Sequence, residues 1–126
     1  MTKKVINTKN APAAVGPYVQ AVDTGKTLYC SGQLGIDPST QQMPKTVREQ
    51  ATCSMRNVEA ILKEAGYTLQ DIVKTTIFLT DMNDFAQVNE IYKSFFGESF
   101  PARSCYQVVK LPLNGLVEIE CIAVKE

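Results

Sequence analysis

Arg103 stands in the segment Phe100-Pro101-Ala102-Arg103-Ser104-Cys105-Tyr106, where a strand is about to begin. Its planar guanidinium matches the two oxygens of a carboxylate, so it can clamp a small acid bidentately. The commoner fate of any one arginine is a surface ion pair, and the residue type alone leaves both open. Cys105, two residues on, could act as a nucleophile only with a base to activate it. A free cysteine is more often a small buried hydrophobe. Glu118 and Glu120 alternate with Val117, Ile119 and Cys121 and so share a face with Ile122 and Val124. Either that face ends at a solvated rim, or one of the two carboxylates holds a substrate or a water. Asn89 falls within the stripe Phe85, Val88, Tyr92, Phe95, Phe96 and either bonds nearby backbone or reaches a site. Tyr18 follows the rigid Gly16-Pro17 corner, and Ser31-Gly32-Gln33 offers a hydroxyl and backbone donors. None of these signals is specific alone.

The chain contains no histidine, which removes Ser-His-Asp and Cys-His devices and imidazole zinc sites. Acid–base work falls to carboxylates, phenols, amines, backbone and water. Four cysteines occur without a Cys-x-x-Cys pair, so neither a metal centre nor a dithiol redox motif is expected. With no secretory signal in view, they read as reduced thiols of a cytoplasmic protein. Thirteen basic residues offset thirteen acidic ones, and the neutral balance lacks the footprint of a nucleic-acid or membrane-surface binder. No apolar run approaches the ~20 residues that cross a bilayer.

The elements that must position these groups can be read from periodicity and punctuation. At 126 residues, with no linker or low-complexity tract, a single domain spanning 1–126 is expected. Lys3 to Asn7 reads as a short strand. Tyr18–Val22 and Thr27–Ser31 flank a turn at Asp23-Thr24-Gly25-Lys26 and read as a hairpin. The glycines of Gly32-Gln33-Leu34-Gly35 imply a bulge or a close approach. Thr46 and Glu49 have capping-box spacing. They open a helix with Val47, Ala51, Met55, Val58, Ile61, Leu62 and Ala65 on its apolar face, ended by Gly66. Ile72–Thr80 reads as a strand, and Asn83 as the cap of a second helix from about Asp84 to Phe96, closed by Gly97. Strands from Arg103 to Lys110 and from Val117 to Val124 complete an α+β sandwich, a mixed sheet with two helices on one face. The other face needs cover, and self-association would supply it.

Together the blocks Asn10 to Tyr18, Ser31-Gly32-Gln33, Asp71 to Thr76, Asn83-Asp84-Phe85, Phe100 to Cys105 and Val117-Glu118-Ile119 resemble the RidA (YjgF) family of reactive-intermediate deaminases over essentially the whole chain. The likeness is to the RidA subgroup, which carries both the arginine and the cysteine. It implies a chorismate-mutase-like fold and a homotrimer whose sheets form a central barrel, with sites in clefts between subunits. It further implies cofactor-free hydrolysis of short 2-imino acids, such as 2-iminobutanoate and 2-iminopropanoate, to 2-keto acids and ammonia. These imines and their enamine tautomers escape from pyridoxal-phosphate dehydratases. Under the resemblance Arg103 clamps the substrate carboxylate and Glu118, not Glu120, positions the attacking water. Cys105 contributes its backbone N–H and small thiol more than nucleophilicity. Tyr18, Ser31 and Asn89 match site positions, and the backbone of Gly32 lines the cleft. Val109 departs from the family's usual small or basic residue, a change expected to touch strand packing. The alternative is a non-catalytic trimeric sensor that binds 2-keto or 2-amino acids and regulates a partner. Some relatives are described as ribonucleases, but the neutral, histidine-free chain argues against an RNA-directed role.

Overall fold

The computed structural model describes residues 3–126. Its strands are β1 (Lys4–Ile6), β2 (Ala21–Asp23), β3 (Thr27–Leu34), β4 (Ile72–Leu79), β5 (Ala102–Gln107) and β6 (Val117–Val124), with helices α1 (Val47–Ala65) and α2 (Phe85–Phe96). They form one six-stranded sheet in the order β1-β2-β3-β6-β4-β5. Every pairing is antiparallel except β4–β5, which is parallel and joined through α2. The fold is the mixed α+β arrangement that the periodicities predict.

The β2–β3 hairpin turns where Asp23 Oδ1 accepts from the N–H of Gly25 at 2.8 Å and Gly25 takes φ +116°. β2 begins at Ala21 rather than Tyr18, because Gln20 ties down the irregular segment before it. The buried Gln20 amide accepts from Thr8 N at 2.7 Å and donates to Thr8 O at 3.1 Å and Pro12 O at 2.8 Å. A fourth, longer bond to Ala11 O at 3.4 Å lies on the same loop, so the Thr8, Ala11 and Pro12 backbone groups are satisfied there without a strand.

α1 starts and stops as its punctuation predicts. Thr46 Oγ1 accepts from Glu49 N at 3.2 Å and donates to the Glu49 carboxylate at 2.8 Å, and Gly66 closes the helix at φ +83°. Val47, Ala51, Met55, Val58, Ile61 and Leu62 are buried and Ala65 packs beside them. α2 enters differently from expectation. Asp81, not Asn83, is the capping side chain: its carboxylate accepts from Asn83 N at 2.9 Å and opens a 3₁₀ turn over Met82–Asp84 that runs into α2. Two candidate caps two residues apart compete, and the earlier one wins by using the later one's N–H. Gly97 closes α2 at φ +69°.

β5 ends at Gln107, short of the expected Lys110, because its partner β4 ends at Leu79 and offers only one more carbonyl, which Val108 N takes at 2.7 Å. Val109 is therefore an exposed residue beyond the strand, and its departure from the family pattern does not touch strand packing.

Both helices lie on one face of the sheet, over Leu28, Ile77, Leu79, Val117, Ile119 and Ala123, all at most 1% exposed. The opposite face is open, with Tyr29, Tyr106 and Val124 exposed on it. Polar residues on the inner side of α1 fix the far end of β3. Ser54 Oγ donates to Gln33 O at 2.6 Å, and Asn57 Nδ2 donates to Leu34 O at 3.1 Å and Ile36 O at 2.8 Å. These bonds hold the strand where its pairing with β6 shifts between Cys30 and Gln33, the bulge that the glycines suggest. Gly35 supplies the close approach: a Cβ there would stand 2.6 Å from Gln50 Cα. Among the described residues no helix is long and apolar enough to cross a membrane.

Candidate active site

The expected site residues fall into two groups. The first is built where β5 meets α2. Arg103 pairs across the parallel ladder with Thr75, whose side chain faces α2, so Arg103 points toward the helices as well. Its Nη1 donates to Asn89 Oδ1 at 2.6 Å. The guanidinium carbon sits 5.4 Å from the Phe85 ring centre and 5.2 Å from that of Tyr92. Asn89 thus bonds the arginine rather than backbone. No carboxylate is bridged to Arg103 among the described residues, whose ion pair is Arg48–Glu90 at 3.2 Å. The charge and most of the N–H donors of Arg103 remain available to an anion.

Cys105, opposite Ile77, faces the same side and is half-buried against the core. Burial pushes its thiol above the ordinary value, with Arg103 opposing only in part, so at neutral pH it is protonated. It packs against the core as a small apolar group. Between them, Ser104 turns to the open face, where its hydroxyl accepts from Lys74 Nζ at 2.9 Å.

The second group gathers around the β3 bulge. Glu118 lies opposite Phe78 on one side and Leu34 on the other, with its side chain folded over Gly32. A Cβ on Gly32 would stand 2.8 Å from Glu118 Cδ, so the absence of a side chain there is what lets the carboxyl lie down. Burial, and then the neighbouring Glu120, raise the Glu118 pKa above the ordinary carboxylate value. Ser31 Oγ donates to Val19 O at 2.7 Å and Ser31 N to Gln20 O at 2.9 Å, which draws the Tyr18 segment alongside. Tyr18 itself is half exposed.

The two groups lie on opposite faces of the sheet. Cys105, Ile77 and Ile119 are register partners beneath the helices, so Arg103 lies on that side, whereas Glu118 precedes Ile119 and points away. Within one copy the two side chains therefore point away from each other across the sheet. Neither of two hollows among the described residues joins them. A solvent-open one of about 770 Å³ lies outside α1, lined in part by Arg56, Lys63 and Tyr67, and one of about 180 Å³ on the open face is lined in part by Lys74, Thr76 and Glu120. No group of three or more Cys, Asp or Glu side chains converges as metal ligands would among the described residues.

Sequence reading missed Thr75, Phe85 and Tyr92 as parts of the arginine's setting. Their signal was present: Phe85, Asn89 and Tyr92 recur at i, i+4 and i+7, which places a polar amide and two rings on one helix face.

The family described as Endoribonuclease L-PSP matches residues 8–125. The chain is 54% identical to the 2-iminobutanoate/2-iminopropanoate deaminase of Mus musculus, over 98% of this chain and 92% of that protein. It is 52% identical to the Escherichia coli K12 protein of the same name, over 97% and 98%. The crystal structure of E. coli TdcF with bound serine superposes with a TM-score of 0.96 at 49% identity, covering 98% of this chain and 99% of that one. The chain therefore belongs to the Endoribonuclease L-PSP family, the YjgF/RidA family that its motifs resemble.

Proposed function

We propose that the protein hydrolyses short 2-imino acids, such as 2-iminobutanoate and 2-iminopropanoate, to 2-keto acids and ammonia, as a homotrimer with its sites in clefts between copies. The observation that carries this reading is a cradled arginine without a carboxylate partner, in a chain more than half identical to two proteins named for that activity. The split of the site residues across the sheet supports the shared cleft: Arg103 of one copy and Glu118 of the next can face one ligand. Assembly through the open face would also cover Tyr29, Tyr106 and Val124.

In the cleft, Arg103 holds the substrate carboxylate through its free N–H edge. A protonated imine is already a good electrophile, so positioning supplies most of what is needed. Glu118 accepts a proton as the water oxygen bonds to the imine carbon, giving a carbinolamine. The same proton passes to the amine nitrogen, and the C–N bond breaks with its pair going to nitrogen so that ammonia leaves. Glu118 carries the hydroxyl proton to the departing ammonia as the carbonyl forms, giving ammonium. Gly32 keeps Glu118 in place, Cys105 lines the cleft with its backbone N–H, and Tyr18 and Ser31 border the water. No cofactor enters these steps, and the whole chain acts as one domain in the cytoplasm.

The test generates 2-iminobutanoate with a threonine dehydratase and follows 2-oxobutanoate formation above the spontaneous rate, with semicarbazide trapping escaped imine. Wild type accelerates it. Arg103→Ala loses about 2–5 kcal/mol of transition-state stabilisation if the carboxylate pair is desolvated, and Glu118→Gln loses the acceleration too. A correctly folded wild type that gives no acceleration would contradict the reading. TdcF with bound serine favours one second reading, a sensor that holds a stable amino acid without turning it over. Binding without acceleration would mark it. An RNA-cleaving role finds no support in a chain of zero net charge without histidine.

A further inference from the structure

Phe85, Asn89 and Tyr92 form one face of α2, and all three meet the Arg103 guanidinium. Tyr92 differs from the other two in being fixed from behind. It is 4% exposed, its ring packs on Phe96 at 4.8 Å between centres, and its hydroxyl lies 2.6 Å from Thr75 Oγ1. Thr75 is 1% exposed and is the residue directly across the ladder from Arg103. A closed loop of contacts results, from Arg103 backbone to Thr75, through the hydroxyl pair to Tyr92, and from the Tyr92 ring back to the guanidinium. Packing alone does not call for it. Val and Phe would fill the same space without two hydroxyls that must each be satisfied in the core.

We propose that Tyr92, locked by Thr75, is a positioning residue that sets the plane of the Arg103 guanidinium for a ligand carboxylate. The ring restrains the guanidinium without a formal charge, and Asn89 anchors one nitrogen with a neutral oxygen. Together they leave the full positive charge to the ligand. This inference rests on the proposed function in identifying that carboxylate as the imino acid's.

Tyr92→Phe keeps the ring and Thr75→Val keeps the volume, and each breaks the hydroxyl pair. Either change raises KM for 2-iminobutanoate by about three- to tenfold, the loss of one buried hydrogen bond, with kcat within about twofold. The dissociation constant of 2-oxobutanoate, read by calorimetry, weakens by the same factor. The double variant is no worse than the poorer single, since both remove one bond, and Thr75→Ser restores wild-type values. A merely structural pair would lower the melting temperature and leave KM and the dissociation constant unchanged, and that result overturns the proposal. So does a folded wild type that does not bind 2-oxobutanoate. A wild type that binds it but fails to speed imine hydrolysis sinks the deaminase reading alone, and the calorimetric comparison of the variants still decides the role of Tyr92.

Discussion

Glu118 carries a cost that its position makes testable. Burial and Glu120 raise its carboxyl pKa above the ordinary 4.5, so the folded chain holds that proton more tightly than the unfolded one. Folding stability therefore falls as pH rises through the interval from 4.5 to the raised value, and the penalty is complete above it. Glu118→Gln removes the penalty. Chemical denaturation should find this variant more stable than wild type at neutral pH, with the gap closing as pH falls below 4.5. A variant no more stable than wild type at neutral pH would mean that the carboxylate is well solvated or paired. At this scale the sequence was informative about Arg103, Cys105 and Glu118, whose types and spacing stand out against apolar neighbours. It was silent on the setting of Arg103. A tyrosine and a phenylalanine on a helical stripe fit a core as well as a cation cradle, and only the strand beneath them decides.

Two glycines show how the elements divide function from stability. At Gly32 an added Cβ meets the end of a flexible glutamate side chain, whereas at Gly35 it meets the Gln50 backbone of α1. Gly32→Ala should therefore displace Glu118 and lower kcat while costing about 1 kcal/mol or less of stability, since a side chain can yield. Gly35→Ala should cost about 1–3 kcal/mol or more, because a packed helix cannot. Steady-state kinetics beside denaturant unfolding separates the two, and equal loss of stability in both would contradict the assignment. Element boundaries were legible where one signal acted alone, as at Thr46 and Gly66. They failed where signals competed, as between Asp81 and Asn83. They failed again where a neighbour set the limit, as when the end of β4 stops β5 at Gln107.

Over the whole molecule, the decisive fact is where β6 sits. Alternation within Val117–Val124 reveals which residues share a face, but not that β6 lies between β3 and β4 or that β5 pairs in parallel at the edge. That order and its register place Arg103 and Glu118 on opposite faces, so their separation was invisible to periodicity, and a site shared between copies was implied only by the family resemblance. On the proposed reading, catalysis needs both groups, drawn from different copies. Its most direct test mixes Arg103→Ala and Glu118→Gln chains, each inactive alone, by unfolding and refolding them together. In an equal mixture about a quarter of the clefts between copies pair an intact arginine with an intact glutamate. The predicted result is recovery of roughly that fraction of wild-type imine hydrolysis. No recovery from properly assembled mixed oligomers would contradict a site shared between copies.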